Sequence, residues 1–243
     1  MAFKGVFFDL GGTLFSYSGR LGSAGIAHVV RTLRLDAAPE AIGAAWGVAA
    51  AEVGERYGKD NYFLHKDLFQ DTLRLFLDGF GLQASPQLAE EFHQLQLEAV
   101  VTNLPIRADC HSTLAGLRAK GIYVSIVSNI DDDYLDPLVT NHGLDKWLDD
   151  WTSSEEAQSC KPHAGIYHHA LSKSGLKLQE VLFVGDSLHH DVAGAAAIGM
   201  PSARIVEPGV KTPLTHGLEV TAEPDYEIAE LTDLLDLVLG VHD

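Results

Sequence analysis

Asp9 closes the short apolar run Lys4-Gly5-Val6-Phe7-Phe8-Asp9-Leu10 and is followed at once by Gly11-Gly12-Thr13. An ionisable group at the end of a buried strand is costly unless it is paired or bound to a cation. A carboxylate so placed can attack phosphorus or carbon. The two glycines let the backbone approach a ligand closely, with N–H groups able to face an anion. Ser128-Asn129 ends a second apolar run. A hydroxyl and a backbone N–H there can hold a phosphate oxygen, although both residues are equally at home in an ordinary turn. Lys161-Pro162 precedes a helical pattern. Proline suits a first helical turn, and a lysine fixed beside it can neutralise a transferring phosphoryl group or a carboxylate nucleophile. Gly185-Asp186-Ser187-Leu188-His189-His190-Asp191 follows a third run and carries two carboxylates five residues apart. With Asp9 they make an oxygen-rich set of the kind that binds Mg²⁺; taken alone, Asp191 reads as a helix N-cap.

These residues need elements to hold them. Strands are expected at Lys4–Leu10, Ile122–Val127, Asp150–Ser153, Val181–Val184, Ser202–Val206 and Tyr226–Ile228, with helical patterns between the later ones. Strands alternating with helices imply right-handed crossovers and a parallel sheet buried on both faces. The stretch from about Tyr17 to Val101 contains no convincing strand. Ile26, Val29, Val30 and Leu33 share one helical face, as do Phe69, Leu73, Phe76, Leu77 and Phe80, and Leu88, Phe92, Leu95 and Ala99. A helical bundle is therefore expected after the first strand, connected near Phe15–Gly19 and Thr102–Pro105. Ligands of open parallel sheets bind beyond the carboxyl ends of the strands, which is where Asp9, Ser128-Asn129 and Asp186 fall.

Composition narrows the partners. The 243 residues carry a formal net charge of −17 and 46% hydrophobic residues, enough for a full core. With no run of Lys or Arg, so acidic a chain should be repelled by nucleic acid and anionic lipid. No apolar stretch approaches a membrane span, and the first residues do not read as a signal peptide. The two cysteines, Cys110 and Cys160, form neither a disulfide framework nor a zinc site. A soluble protein of a reducing cytoplasm is the expectation. Twelve histidines invite a zinc reading, but His163, His168-His169 and His189-His190 lack the i, i+4 spacing of paired ligands on one helix. Asp131-Asp132-Asp133 reads as an acidic first helical turn that favours the dipole. Trp46, Tyr57, Tyr62 and Phe63 read as core or rim of the bundle.

Four signals in fixed order, each at a strand end or in the loop serving it, are far more specific together than singly. On Phe8-Asp9-Leu10-Gly11-Gly12-Thr13-Leu14, Val127-Ser128-Asn129, Lys161-Pro162-His163 and Val184-Gly185-Asp186 with Asp191, the chain resembles the haloacid dehalogenase (HAD) superfamily of hydrolases. The likeness spans about Phe3 to Val238. It implies an α/β fold: a Rossmann-like parallel-sheet core formed by residues 1–16 and 102–243, and an inserted all-helical cap at 17–101. By the resemblance, Asp9 is a nucleophile that forms an aspartyl-phosphate on a small phosphorylated metabolite. Ser128 and Lys161 bind the phosphoryl group, with Gly11, Gly12 and Asn129 beside it. Mg²⁺ takes a carboxylate oxygen of Asp9, the Gly11 carbonyl and Asp186, with Asp191 completing or supporting the site.

One departure stands out. The family's phosphatases carry a second Asp two residues after the nucleophile, where this chain has Gly11. That residue protonates the leaving oxygen and then activates water, help worth ~10²–10⁴ in rate. Four readings are open. The favoured one is a phosphatase in which another group or the substrate itself replaces the acid: His65, Lys59, Arg56 and Tyr17 are candidates to reach the site. Leaving groups such as sugar 1-phosphates, acyl phosphates and aryl phosphates need it least. A phosphonate hydrolase would use Lys59 or Lys66 as a Schiff base. A dehalogenase is opposed by the intact Gly185-Asp186 pair, since the family's dehalogenases are metal-free and lack it. A catalytically silent binding or regulatory protein is the main alternative, though such a chain has little reason to keep Asp9, Lys161, Asp186 and Asp191 together. Arg20, Arg56 and Lys59 are further candidates for substrate contact.

Overall fold

The computed structural model describes residues 3–17, 23–207 and 222–239. Six strands, β1 (Gly5–Phe8), β2 (Tyr123–Ser128), β3 (Asp150–Ser153), β4 (Val181–Gly185), β5 (Ser202–Ile205) and β6 (Tyr226–Ile228), form one sheet in the order β3-β2-β1-β4-β5-β6. All pairings are parallel. Strands β1, β2, β4 and β5 coincide with apolar runs of the sequence, as a sheet covered on both faces requires, whereas the edge strands β3 (Asp-Trp-Thr-Ser) and β6 (Tyr-Glu-Ile) are more polar. Successive side chains of a strand face opposite sides. Accordingly Val6, Phe8, Val124, Ile126, Leu182 and Val184 belong to one core cluster, and Phe7, Val127, Val181 and Phe183 to another.

The helices are α1 (Ser23–Leu33), α2 (Pro39–Tyr57), α3 (His65–Asp78), α4 (Pro86–Asn103), α5 (Cys110–Ala119), α6 (Asp132–Asn141), α7 (Ser154–Ala157), α8 (Ala164–Ser174), α9 (Gly194–Ile198) and α10 (Asp233–Leu239). Helices α5, α6 and α10 cover the first face through Leu114, Leu117, Leu135, Leu138 and Leu234. Helices α8 and α9 cover the second through Ile166, Tyr167, Ala170 and Ala195. No helix among the described residues is long and apolar enough to cross a membrane.

Helices α1–α4 lie between β1 and α5 and bury an apolar cluster of their own: Val29, Ile42, Leu73, Phe76, Leu77, Leu88 and Phe92. Trp46 packs into it, its ring 5.7 Å from both Phe76 and Phe92. Helix α2 was not apparent from periodicity, because its Ala- and Gly-rich sequence buries only Ile42, Ala49 and Val53. On α4, His93 and Gln96 are buried in place of the expected Leu95 and Ala99. His93 turns toward α6, with its ring 6.1 Å from Tyr134 and Nε2 3.3 Å from Asp133. The two crossings into this helical segment run side by side: Ser16 N–H donates to the Pro105 carbonyl at 2.8 Å and Arg107 N–H to that of Leu14 at 2.9 Å. Gly19, at the end of the first expected connection, lies outside the described residues.

Candidate active site

The chain turns outward from β1 to β3 on one side of the sheet and resumes with β4 on the other side of β1. The strand order thus reverses between β1 and β4, the kind of switch point where open sheets bind ligands. Pairing of Phe8 with both Ile126 and Val184 brings the carboxyl ends of β1, β2 and β4 level. Asp9 N–H extends the ladder by donating to the Val184 carbonyl at 2.8 Å.

The Asp9 carboxylate is buried and its Oδ1 receives two donors, Lys161 Nζ at 2.5 Å and Ser128 Oγ at 3.2 Å. Lys161 Nζ also pairs with Asp191 Oδ1 at 2.6 Å and sits 5.3 Å over the Phe183 ring. Burial alone would lower the pKa of the Lys161 ammonium. The charges of Asp191 and Asp9 outweigh that and raise its pKa. Burial pushes the Asp9 carboxyl up; Lys161 opposes the shift and the Asp191 charge adds to it.

Asn129 grips the backbone of the same lysine. Its Oδ1 accepts from Lys161 N–H at 2.6 Å and its Nδ2 donates to the Lys161 carbonyl at 2.9 Å. The Asn129 side chain therefore positions Lys161, and its backbone N–H is the group expected beside a phosphate. The Gly12 N–H, also expected to face an anion, donates to the Phe15 carbonyl at 2.6 Å. What Gly12 supplies is space and a left-handed φ of +86°: a Cβ there would collide with the Asp186 carboxylate. Gly185 gives the Asp191 carboxylate the same room.

The segment after β4 does not pass directly into a regular α-helix at Asp191. Leu188–Ala193 forms a wide π-helical turn, and regular α-helix begins only at Gly194. Ser187 caps the turn by accepting from His190 N–H, and Asp191 Oδ2 turns back to accept from Ser187 N–H at 2.9 Å. Asp191 is thus no N-cap; its carboxylate lies in the cluster. Ligand oxygens of Asp9, Asp186 and Asp191 lie within 4.8 Å of one another. An all-oxygen set suits a hard divalent cation. Burial first, and then the Asp191 charge, raise the Asp9 carboxyl; a bound cation would offset both, so these residues fit Mg²⁺.

The bordering residues fall into two groups. His190 is neutral: burial, then the Lys161 charge and His189, pull its imidazole down to about 4, and His65 adds a smaller effect of the same sign. His65, only 12% exposed, holds its Nδ1 3.4 Å from Asp131. Tyr17 is half-buried, and the position a Cβ on Gly11 would take overlaps its hydroxyl and lies 2.8 Å from its Cζ. Burial and the charges of Asp9, Asp186 and Asp191 raise the Tyr17 hydroxyl well above its ordinary pKa, so it keeps its proton. Lys59, by contrast, is 71% exposed and pairs with Glu55 at 3.3 Å. Arg56 is 60% exposed and pairs with Asp71, and Lys66 meets Glu90 at 3.5 Å. None of these contacts brings them to Asp9. Arg20 lies outside the described residues.

Asp131 was not foreseen. Its side chain is 3% exposed and, at the N-cap position of α6, makes no capping hydrogen bond to that helix. Oδ1 and Oδ2 accept from the backbone N–H groups of His65 and Lys66, each at 2.8 Å, and so cap the start of α3. Leu64, at the α3 N-cap position, offers no side-chain cap of its own.

The chain belongs to the haloacid dehalogenase-like hydrolases, whose family model matches residues 3–199. It is 28% identical over 238 residues to a phosphoglycolate phosphatase of Yersinia pestis, covering 98% of this chain and 94% of that protein. It is 26% identical over 242 residues to a glyceraldehyde 3-phosphate phosphatase of Methanocaldococcus jannaschii, covering 97% and 96%. Its fold matches that of an L-2-haloacid dehalogenase from Xanthobacter autotrophicus with a TM-score of 0.70 and 27% identity, over 99% of this chain and 100% of the other.

Proposed function

We propose that the protein is a Mg²⁺-dependent phosphohydrolase acting on a small phosphorylated metabolite through an aspartyl-phosphate on Asp9. The observation that carries this reading is the convergence on Asp9 of Lys161, Ser128 and two further carboxylates at the switch point of the sheet. The Asp9 carboxylate attacks phosphorus. Lys161, kept cationic by Asp9 and Asp191, draws the phosphoryl oxygens toward that carboxylate, and Ser128 donates to them from the neighbouring strand end. Asn129 fixes the Lys161 backbone so that its ammonium cannot drift. Asp9, Asp186 and Asp191, with the Gly11 carbonyl, would hold the cation, which when bound neutralises phosphoryl charge.

Residues 17–101 serve as a cap over the strand ends, which favours small substrates. The phosphatase relatives, each similar over nearly their full length, support the reaction class. The oxygen-rich cluster favours phosphoryl transfer over metal-free dehalogenation. The acidic charge fits a partner list without nucleic acid, and the two unpaired, buried cysteines fit a reducing cytoplasm.

The test is turnover of p-nitrophenyl phosphate and acetyl phosphate with Mg²⁺ and with EDTA, beside Asp9→Asn. Turnover that needs Mg²⁺ and vanishes in the variant is expected. No turnover of either substrate, or release of halide from a 2-haloacid in EDTA, would overturn the reading.

A further inference from the structure

We propose that the Tyr17 hydroxyl stands in for the missing side chain at position 11, donating a hydrogen bond to the leaving oxygen and so restricting the enzyme to phosphates whose leaving group departs as a stabilised anion. The inference rests on the phosphohydrolase reading above and assigns its leaving-group class.

The geometry begins with the turn after β1. Leu14 and Phe15 N–H both donate to the Leu10 carbonyl at 2.9 Å, Gly12 N–H donates to Phe15, and Gly11 and Phe15 form an isolated bridge. The chain is thereby folded back on itself, so that residue 17 returns over residue 11. Ser16 fixes the return from two sides, through its N–H to Pro105 and its hydroxyl to Glu207 at 2.7 Å. The ring that follows then fills the volume into which any side chain at position 11 would project. Gly11 is therefore no vacancy beside the nucleophile: the space holds a hydroxyl, delivered from six residues further along.

A phenol hydroxyl placed over residue 11 is within the volume beside Asp9 from which it can donate a hydrogen bond. The step balances without its proton. An Asp9 oxygen forms a bond to phosphorus as the bond to the substrate's ester oxygen breaks. The electron pair of that bond stays on the leaving oxygen, which accepts the Tyr17 hydrogen bond and departs as an anion. Aryl, acyl and enol phosphates meet that condition; simple alkyl phosphates, whose alkoxide must be protonated as it leaves, do not.

The experiment is a series of aryl phosphates of rising leaving-group pKa, assayed for kcat and KM on wild type, Tyr17→Phe, Gly11→Ala and Asp9→Asn, with thermal melts to confirm folding. Removing one donor aimed at developing negative charge costs ~10²-fold in kcat. Tyr17→Phe should show about that loss on phenyl phosphate, little on 2,4-dinitrophenyl phosphate, and little change in KM on either. Gly11→Ala keeps the hydroxyl but pushes it aside, and should give the same leaving-group-dependent loss. A loss equal across the series in both variants, or none, would overturn the proposal while leaving the phosphohydrolase reading intact. Wild type inactive on the whole series would overturn both.

Discussion

Asp131→Ala should loosen the helical segment from the sheet without touching Asp9. Two half-buried backbone donors, the N–H groups of His65 and Lys66, each lose a charged acceptor at 2.8 Å. Hydrogen bonds to charged groups contribute ~1.5–3 kcal/mol each, which puts the pair at about 3 kcal/mol or more. A cleft of about 230 Å³ lined by Leu64, Lys66, Asp131, Asp132, Asp133 and Glu155 can admit replacement water, which brings the expected loss to about 2–3 kcal/mol. For a chain of this size that is a Tm lower by about 5–10 °C. Asp131→Asn is not conservative here, because its single oxygen serves one N–H while its amide nitrogen confronts the other; a loss of about 1–2 kcal/mol is expected. The pH dependence has a definite sign. Burial alone would raise the Asp131 carboxyl, but the hydrogen bond and charge of His65 and the N–H groups of Lys66 and His65 outweigh it and hold the carboxyl below its ordinary value. The stability it contributes is complete above the unfolded value of about 3.9 and is lost as pH falls through the lower folded value. Urea denaturation of the three proteins between pH 7 and pH 3 reads this directly. The difference between wild type and Asp131→Ala should be flat down to about pH 5 and shrink below about pH 4. A difference under about 0.5 kcal/mol at pH 7, or an Asn variant as stable as wild type, would refute the capping argument.

Three further perturbations follow from the site. Lys161→Met removes the cation shared by Asp9 and Asp191; turnover of p-nitrophenyl phosphate should fall by ~10²–10³, and urea unfolding should show about 3–5 kcal/mol lost at neutral pH. Asn129→Ala removes both hydrogen bonds to the Lys161 backbone. It should lower kcat by ~10²-fold, the cost of a misplacement near 1 Å, with less effect on KM. Gly12→Ala forces a left-handed residue, at about 1–2 kcal/mol, and drives its Cβ into the Asp186 carboxylate. Mg²⁺ should raise the Tm of wild type, an increase that EDTA reverses, and leave the Gly12→Ala melt unmoved.

The inner strands were legible because a sheet buried on both faces demands short apolar runs, and these runs end in residues too polar to continue inside. Asp9, Ser128 and Asp186 were found for that reason, and Lys161 and Asp191 because they recur in loops serving the same edge. What failed to show were contacts between segments far apart in the chain. Asp131 sits in an acidic run that suits its own helix, and only folding reveals that it caps one beginning at His65. Asn129 stands beside Ser128 at the end of β2, yet both ends of its amide are engaged by Lys161, thirty-two residues on. Helix α2 went unseen because alanine and glycine give no contrast between a buried and an exposed face.

Position 11 shows how a residue can mislead when read singly. In the sequence, glycine there is the loss of a carboxylate. In the fold it belongs with Gly12 and Gly185, each of which leaves room for a polar group from elsewhere: the Tyr17 hydroxyl, the Asp186 carboxylate and the Asp191 carboxylate respectively. A carboxylate at position 11 and the hydroxyl of Tyr17 are therefore alternatives for one volume and cannot be added together. Gly11→Asp alone cannot be a simple repair, since its Cβ displaces the phenol before its carboxylate can be placed. Gly11→Asp combined with Tyr17→Gly clears the space, exchanges a donor that keeps its proton for a group that can give one up, and should shift activity from aryl toward alkyl phosphates. If the double variant gains nothing on alkyl phosphates while still binding Mg²⁺ and still turning over aryl ones, then the two groups do not compete for one task, and the glycine at position 11 must be explained by packing alone.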